Sequence, residues 1–176
     1  MTESDPDPAE RLRRRVLWRF PTGLYVLGSR HGDRRNLMTA SWVSQVSLEP
    51  TLVGVGVERT AVTHALIEAG GVFALSLVAR AERASVRHFV KPVAAEEIDL
   101  DDVGSGTIRG TAVRTATSGA PVLVVAAAFV DCVVRDALPT GSHTWFVGDV
   151  VDSGFGPGGE DTDVLRMEDT RMHYGG

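Results

Sequence analysis

The residues best suited to chemistry stand where a β-branched run gives way to a helical pattern. Arg59, Thr60 and Thr63 occupy this junction, and Thr60 is of a residue type that commonly caps a helix. The first amides of a helix lack intrahelical partners and favour anions, and an arginine adds a charged donor. The junction fits an anion site, and it fits an ordinary N-cap beside an exposed arginine equally well.

A second stretch combines hydroxyl groups, small side chains and one aromatic residue. It runs from Thr39 to Ser47, and an alternating strand would place Trp42 and Ser44 on the same face. Such a stretch can hydrogen-bond the edge of a planar ligand and make apolar contact with its face. On these residues alone, the simpler alternative is a strand whose hydroxyls meet solvent and whose tryptophan enters the core.

The sequence lacks the common motifs for catalysis by the protein's own side chains, for nucleotide binding and for metal binding. It contains no G-x-S-x-G elbow, no Walker loop, no H-E-x-x-H and no G-x-G-x-x-G after a strand. The five histidines are scattered, so no metal site is predicted, and the single cysteine, Cys132, lies in an apolar run that predicts burial. Two classes remain: a binding protein, or an enzyme whose cofactor supplies the chemistry.

The elements that must position these residues are mostly strands. Apolar and β-branched runs predict strands at 24–27, 36–47, 51–57, 72–78, 107–115, 122–135, 144–152 and 164–167. Capping and breaking residues predict helices at 8–19, 60–70 and 81–90. Since strands dominate without regular βαβ alternation, we expect a mainly β, α+β fold: a closed antiparallel barrel with a few short flanking helices.

Length and composition suit one globular domain. The chain has 176 residues, of which 43% are apolar and 23% charged, and its net charge is −5. We expect a disordered segment at 1–8 and a single domain over 9–176.

The negative charge gives no reason to expect nucleic acid or membrane as a partner. The N-terminus lacks signal-peptide features and the longest apolar run, 121–130, is too short to span a bilayer, so a cytoplasmic protein is expected.

Several segments, taken in order, carry a family resemblance. They are Phe20–Gly23, Asn36–Ser47, Glu49–Val53, Arg59-Thr60 with Thr63-His64, 71–76, His88-Phe89, 128–133 and 143–150. Together they resemble the flavin reductase-like family over about residues 15–152. The resemblance implies the FMN-binding split β-barrel as the fold, a flavin as the ligand and a homodimer as the assembly.

The resemblance also assigns roles to the two stretches described above. It implies that the flavin ring is bound by Thr39, Ala40, Ser41 and Trp42. Ser44 and Ser47 are then within reach of the ribityl chain. The flavin phosphate is expected at Arg59, Thr60 and Thr63.

His143 is the candidate catalytic residue. Many family members carry Gly-Asp-His where this chain has Gly141-Ser142-His143, and the resemblance associates that histidine with the nicotinamide. Ser142 retains a hydroxyl for hydrogen bonding but brings no charge to orient His143.

The favoured hypothesis is a flavin reductase that transfers hydride from NADH or NADPH to FMN or FAD. A partner monooxygenase is the implied recipient of the reduced flavin. No ionisable group is needed at the hydride step, so positioning should dominate the rate. The alternative, which Ser142 keeps open, is an FMN-binding electron-transfer or flavin-carrier protein that does not oxidise nicotinamide. A split-barrel oxidase acting on pyridoxine phosphate or deazaflavin matches the segment order poorly.

Overall fold

The computed structural model describes residues 7–172. The predicted disordered segment 1–8 therefore lies mostly, and the chain end at 173–176 wholly, outside the described residues. The first half of the chain contains α1 (Pro8–Leu17), β1 (Tyr25–His31), β2 (Arg34–Ala40), β3 (Val43–Ser47), β4 (Leu52–Glu58), α2 (Val62–Gly70) and β5 (Val72–Val78). The second half contains β6 (Ile98–Leu100), β7 (Gly106–Ile108), β8 (Thr111–Thr115), β9 (Pro121–Leu123), β10 (Ala126–Pro139) and β11 (His143–Phe155). Short 3₁₀ turns occupy Arg80–Glu82, Ser85–Phe89, Ala95–Glu97 and Met167–Asp169.

The strands form two antiparallel sheets, and within residues 7–172 neither sheet is closed into a barrel. The larger sheet has the order β2-β1-β5-β10-β11-β4-β3, and the smaller has the order β6-β7-β8-β9. The mainly β prediction is confirmed, but the closed split β-barrel is wrong. Closure would require β2 to pair with β3, yet the peptide groups that follow β2 bond elsewhere. The Gly56 N–H of β4 donates to the Trp42 carbonyl over 2.9 Å, and the Val43 N–H donates to the Ser41 carbonyl over 3.2 Å.

The link between β2 and β3 explains the shape of the larger sheet. These strands form its two edges, yet only Ser41 and Trp42 separate them in the chain. Three Cα–Cα steps span at most about 11 Å, whereas seven strands laid flat would put the edges roughly 29 Å apart. The sheet must therefore curl until its edges are neighbours, although no ladder joins them.

Several predicted elements are divided in the structure. The single strand predicted over 36–47 is β2 and β3, and the one over 107–115 is the hairpin of β7 and β8. The helix predicted over 81–90 is two 3₁₀ turns. The strand predicted at 164–167 makes only the isolated bridges Gly23–Arg166 and Ala79–Val164.

Each face of the curled sheet has its own apolar core. Alternate residues of β1 show this, because Val26 packs into one cluster and Leu27 into the other. The Leu27 cluster also contains Phe73, Phe146 and the fully buried Cys132, whose thiol pKa burial raises to about 12. Cys132 is thus an inert core residue, as its apolar setting predicted.

The two helices differ in how they meet the sheet. α2 buries Thr63, His64, Leu66 and Ile67 and ends at Gly71, whose φ of 67° places it in the left-handed region typical of a C-cap. α1 buries none of its residues, and Leu12, Val16 and Leu17 are exposed. Among the described residues, no helix has both the length and the apolar character needed to cross a membrane.

Candidate functional site

Three segments that are distant in the chain meet at one corner of the larger sheet. The ring centroids of Trp42 and His143 lie 4.5 Å apart, with the ring planes tilted by 44°. The Arg59 N–H donates to the Ser142 carbonyl over 2.9 Å. The predicted ring-binding segment, the predicted anion-binding turn and the candidate catalytic histidine therefore share one surface, hereafter the Trp42–His143 patch.

Two glycines of β4 form the floor of this patch. A Cβ placed on Gly54 would lie 2.5 Å from the indole of Trp145, and one on Gly56 would lie 3.2 Å from the indole of Trp42. Only glycine at these positions lets both indoles rest directly on the strand. Sequence reasoning missed Trp145. Its spacing from His143 was the available signal, since residues two apart on a strand share a face.

Ser41 has a buried hydroxyl that lacks a partner. The residue is 3% exposed, and its Oγ forms no hydrogen bond with any described residue. The neighbouring Ala40 is also buried. A buried hydroxyl without a partner is unfavourable by about 1–3 kcal/mol, so a group from outside the chain is expected to satisfy it. This observation fits the polar edge of a planar ligand at Ser41.

Two of the predicted ligand hydroxyls are used inside the fold instead. The Thr39 hydroxyl donates to the Val86 carbonyl. Thr63 is fully buried, and its Oγ1 accepts from Asn36 Nδ2 over 2.6 Å, while Asn36 Oδ1 accepts from the Val93 N–H over 3.0 Å. These side chains join β2, α2 and the segment after β5. The structure does not bring the hydroxyls of Thr39 and Thr63 to the Trp42–His143 patch.

The remaining predicted flavin contacts are more accessible. Ser44, Arg59 and Thr60 are exposed, and Ser47 is half-buried. The Ser44 hydroxyl donates to the Gln45 carbonyl over 3.0 Å. Thr60 is not the N-cap that the sequence predicted. That position belongs to Ala61, which offers no side-chain acceptor to the first amides of α2.

His143 is fixed at the first position of β11 by its neighbours. The Ser142 hydroxyl lies 2.9 Å from His143 Nδ1, within hydrogen-bond distance. Both the N–H and the hydroxyl of Thr140 donate to the His143 carbonyl, over 2.8 Å and 3.1 Å. Ser142 therefore supplies a neutral partner for the imidazole where the resemblance would place a carboxylate.

A second histidine, which sequence reasoning did not assign to the site, lies beneath the patch. His64 of α2 is 6% exposed, and its Nε2 lies 2.8 Å from the Thr144 hydroxyl, next to His143. Its ring packs 5.1 Å from that of Phe146. Burial lowers the pKa of His64; Glu68 opposes this effect, and Arg59 adds to it. His64 is thus held neutral at the junction of α2 and β11.

One cavity of the described residues lies away from the predicted contacts. It measures about 710 Å³ and runs between the end of α1 and the segment 164–172. Tyr25 lines it, and burial raises the pKa of that phenol. None of the predicted site residues lines this cavity, although Tyr25 pairs with Ala40 across β1 and β2. No grouping of three metal-ligating side chains occurs between residues 7 and 172.

The fold and the patch together define a class of protein. It is a mainly β chain in which an aromatic surface packs on two strand glycines and lies beside the turn that contains Arg59. Comparison with known proteins gives the family. The flavin reductase like domain model matches residues 17–175, and the chain belongs to that family. The predicted membership is confirmed.

Individual relatives agree with this placement. The chain is 33% identical to an NADH-dependent FAD reductase of Streptomyces globisporus, over 82% of this chain and 76% of the relative. The solved structure of the NADH:FAD oxidoreductase of that organism, in complex with NAD and FAD fragments, superimposes with a TM-score of 0.75. That match has 28% identity and covers 94% of this chain and 92% of the other. The flavin reductase component of a bacterial two-component tryptophan halogenase gives a TM-score of 0.73, with 25% identity and coverage of 90% and 92%.

Other relatives are much longer proteins. The diflavin flavoprotein A 1 of Synechocystis is 28% identical over 80% of this chain, which spans only 23% of that relative. The chain thus spans about a quarter of the length of the curated diflavin flavoproteins that it matches. Among the relatives, the NADH-dependent FAD reductase and the NADH:FAD oxidoreductase pair a flavin with a nicotinamide, in agreement with the predicted activity.

Proposed function

We propose that this chain is an NAD(P)H-dependent flavin reductase that acts at the Trp42–His143 patch. The observation that carries the proposal is the contact between Trp42 and His143, because it unites the predicted flavin segment with the predicted nicotinamide residue. The similarity to an NADH-dependent FAD reductase along most of both chains supports the same activity.

The residues of the patch fit a flavin. The unpartnered Ser41 hydroxyl suits the polar edge of the ring, and Trp42 offers an apolar surface to its face. Arg59 and Thr60, beside the uncapped start of α2, suit the phosphate. Ser44 and Ser47 remain the proposed contacts of the ribityl chain. Thr39, Ala40 and Thr63 are proposed to shape the site through the packing and hydrogen bonds of the fold.

When bound, the nicotinamide supplies the hydride and the flavin accepts it. The task of the chain is to hold two planar ligands in register and keep water away. His143 is the proposed catalytic residue on the nicotinamide side, and Ser142 at Nδ1 fixes the orientation of its ring. The Gly54 and Gly56 floor holds Trp42 and Trp145 in place without side-chain interference.

We propose that the protein works as a homodimer and passes reduced flavin to an oxygenase. The exposed apolar residues Leu12, Val16 and Leu17 of α1 support a second copy as partner, since isolated apolar helix faces favour burial. The similarity to the reductase component of a two-component halogenase supports an oxidising enzyme as recipient. A cytoplasmic location is proposed because NADH and NADPH are cytoplasmic reductants, and cell fractionation tests it.

A steady-state assay that crosses NADH and NADPH with FMN, FAD and riboflavin tests the function. We expect nicotinamide oxidation that depends on added flavin. Binding of FMN or FAD without oxidation of either nicotinamide would instead identify a flavin carrier. Absence of flavin uptake by calorimetry would refute both. Arg59→Ala should weaken FMN more than riboflavin, because only FMN carries the phosphate.

A further inference from the structure

His64 connects the two halves of the proposed site from below. Its imidazole lies between α2 and the inner face of β11, within 2.8 Å of the Thr144 hydroxyl and packed on Phe146. Both His64 and Thr144 are 6% exposed. The contact is therefore shielded from water. A hydrogen bond in such a buried, low-dielectric setting is stronger than one in water, and its loss is more destabilising.

The partners of this contact are immediate neighbours of the functional residues. Thr144 follows His143 in β11, and His64 follows Thr63 in the first turn of α2, just after Arg59 and Thr60. Thr63 attaches the same turn to Asn36 of β2 over 2.6 Å. The first turn of α2 is thus tied to an edge strand on one side and to the strand of His143 on the other.

We propose that His64 is a positioning residue, which sets the phosphate-binding turn relative to His143 through its hydrogen bond to Thr144. The inference rests on the proposed function, because it needs a flavin phosphate at Arg59. Burial lowers the pKa of the His64 imidazole and so favours its neutral form, in which Nε2 can hydrogen-bond the Thr144 hydroxyl. Glu68 raises this pKa and Arg59 lowers it, so the two charges oppose each other. The hydrogen bond is therefore available at neutral pH.

Removal of either partner should misplace the turn. His64→Leu and the isosteric Thr144→Val should each raise the KM for FMN about three- to tenfold, the range expected for one net hydrogen bond, with a smaller change for riboflavin. The double variant should be no worse than the single variants, because both remove the same bond. His64→Gln and Thr144→Ser retain polar partners and should recover most of the FMN affinity.

The chain offers a matched control. The exposed His88 makes a similar contact with the smaller sheet, since its Nδ1 lies 3.3 Å from the hydroxyl of Thr111 in β8. His88→Leu and Thr111→Val should leave the ratio of FMN to riboflavin KM unchanged.

The outcomes separate this inference from the proposed function. If Arg59→Ala discriminates FMN from riboflavin while His64→Leu and Thr144→Val lower affinity for both equally, His64 has only a structural role and the inference is overturned. If Arg59→Ala does not discriminate, the phosphate site is wrong and the inference fails with it. Should His64→Leu not fold, Thr144→Val against Thr144→Ser decides, since the first keeps the shape of the side chain without the hydroxyl and the second keeps the hydroxyl.

Discussion

Arg109 and Glu97 form a bidentate ion pair, in which Arg109 Nε lies 2.8 Å from Glu97 Oε1 and Arg109 Nη2 lies 2.6 Å from Glu97 Oε2. The same guanidinium donates to the carbonyls of His88, Lys91 and Pro92, and so fastens the end of the second 3₁₀ turn to the smaller sheet. Arg109 and Gly110 both have positive φ, 49° and 70°, which is the signature of the tight type I′ hairpin turn. Arginine is an unusual residue there, and its hydrogen bonds account for its presence.

Arg109→Gly should separate these two effects. Glycine adopts positive φ without strain, so this variant loses only the hydrogen bonds, whereas Arg109→Ala also strains the turn. Both variants should unfold at lower temperature than the parent chain, with Arg109→Ala the less stable. Thermal unfolding followed by circular dichroism checks the order. Equal stability of Arg109→Gly and the parent chain would show that the ion pair and its carbonyl contacts contribute nothing.

The ion pair also predicts a dependence on acid. Hydrogen bonding to Arg109 lowers the pKa of Glu97 to about 2 from its ordinary 4.5. A carboxyl whose pKa is depressed by folding stabilises the folded state above its unfolded pKa. That contribution should be lost as the pH falls from about 4.5 towards 2. Urea unfolding at pH 5 and pH 3 should show a smaller difference for Glu97→Gln than for the parent chain. An unchanged difference would contradict the assignment.

Ser41→Ala should affect stability and ligand binding in opposite directions. Because the Ser41 hydroxyl is buried without a partner, its removal should leave the flavin-free protein as stable or stabilise it by about 1 kcal/mol. Flavin affinity should fall, since the hydroxyl is the proposed contact of the ring edge. Thermal unfolding without flavin and fluorescence titration with FMN measure the two effects. A loss of stability with unchanged affinity would remove Ser41 from the site.

Gly54→Ala should disturb the patch from below. The added Cβ would lie 2.5 Å from the indole of Trp145, so the ring must move. We expect a shifted tryptophan emission spectrum and weaker flavin binding. Gly56→Ala is the milder comparison, because its nearest contacts are 3.2 Å and 3.3 Å. Equal behaviour of the two variants would indicate that the floor of the patch does not control the indoles.

The sequence predicted the strands more reliably than their connections. β4, β5 and β11 follow runs of apolar and β-branched residues, a pattern that is local and readable. The break at Ser41-Trp42 is different. Neither residue is a glycine or a proline, the strongest breakers of a strand, and the chain leaves β2 where the sheet curls and the Gly56 N–H donates to the Trp42 carbonyl. That partner is distant in the sequence, so periodicity could not reveal it.

In the candidate site, too, residue types could be read from the sequence, whereas contacts between distant residues could not. Residue types pointed to Arg59, the family resemblance pointed to Trp42 and His143, and the structure brings these segments together. The direction of a hydroxyl could not be read in the same way. Thr39 and Thr63 turn inward because Val86 and Asn36 offer buried partners, and an unsatisfied buried polar group would be unfavourable. The sequence could not predict the position of His64 beneath the patch, because that position depends on its contact with Thr144, which lies far along the chain.

The two-residue link between β2 and β3 makes one piece of backbone serve two purposes. Ser41 and Trp42 join the outermost strands of the seven-stranded sheet, and they also offer the proposed contacts for the flavin ring. A ligand held there restrains both sheet margins at once. Amide hydrogen exchange along Arg34–Ala40 and Val43–Ser47 should therefore slow in concert when FMN is added, even though no hydrogen bond of the ladder connects these strands.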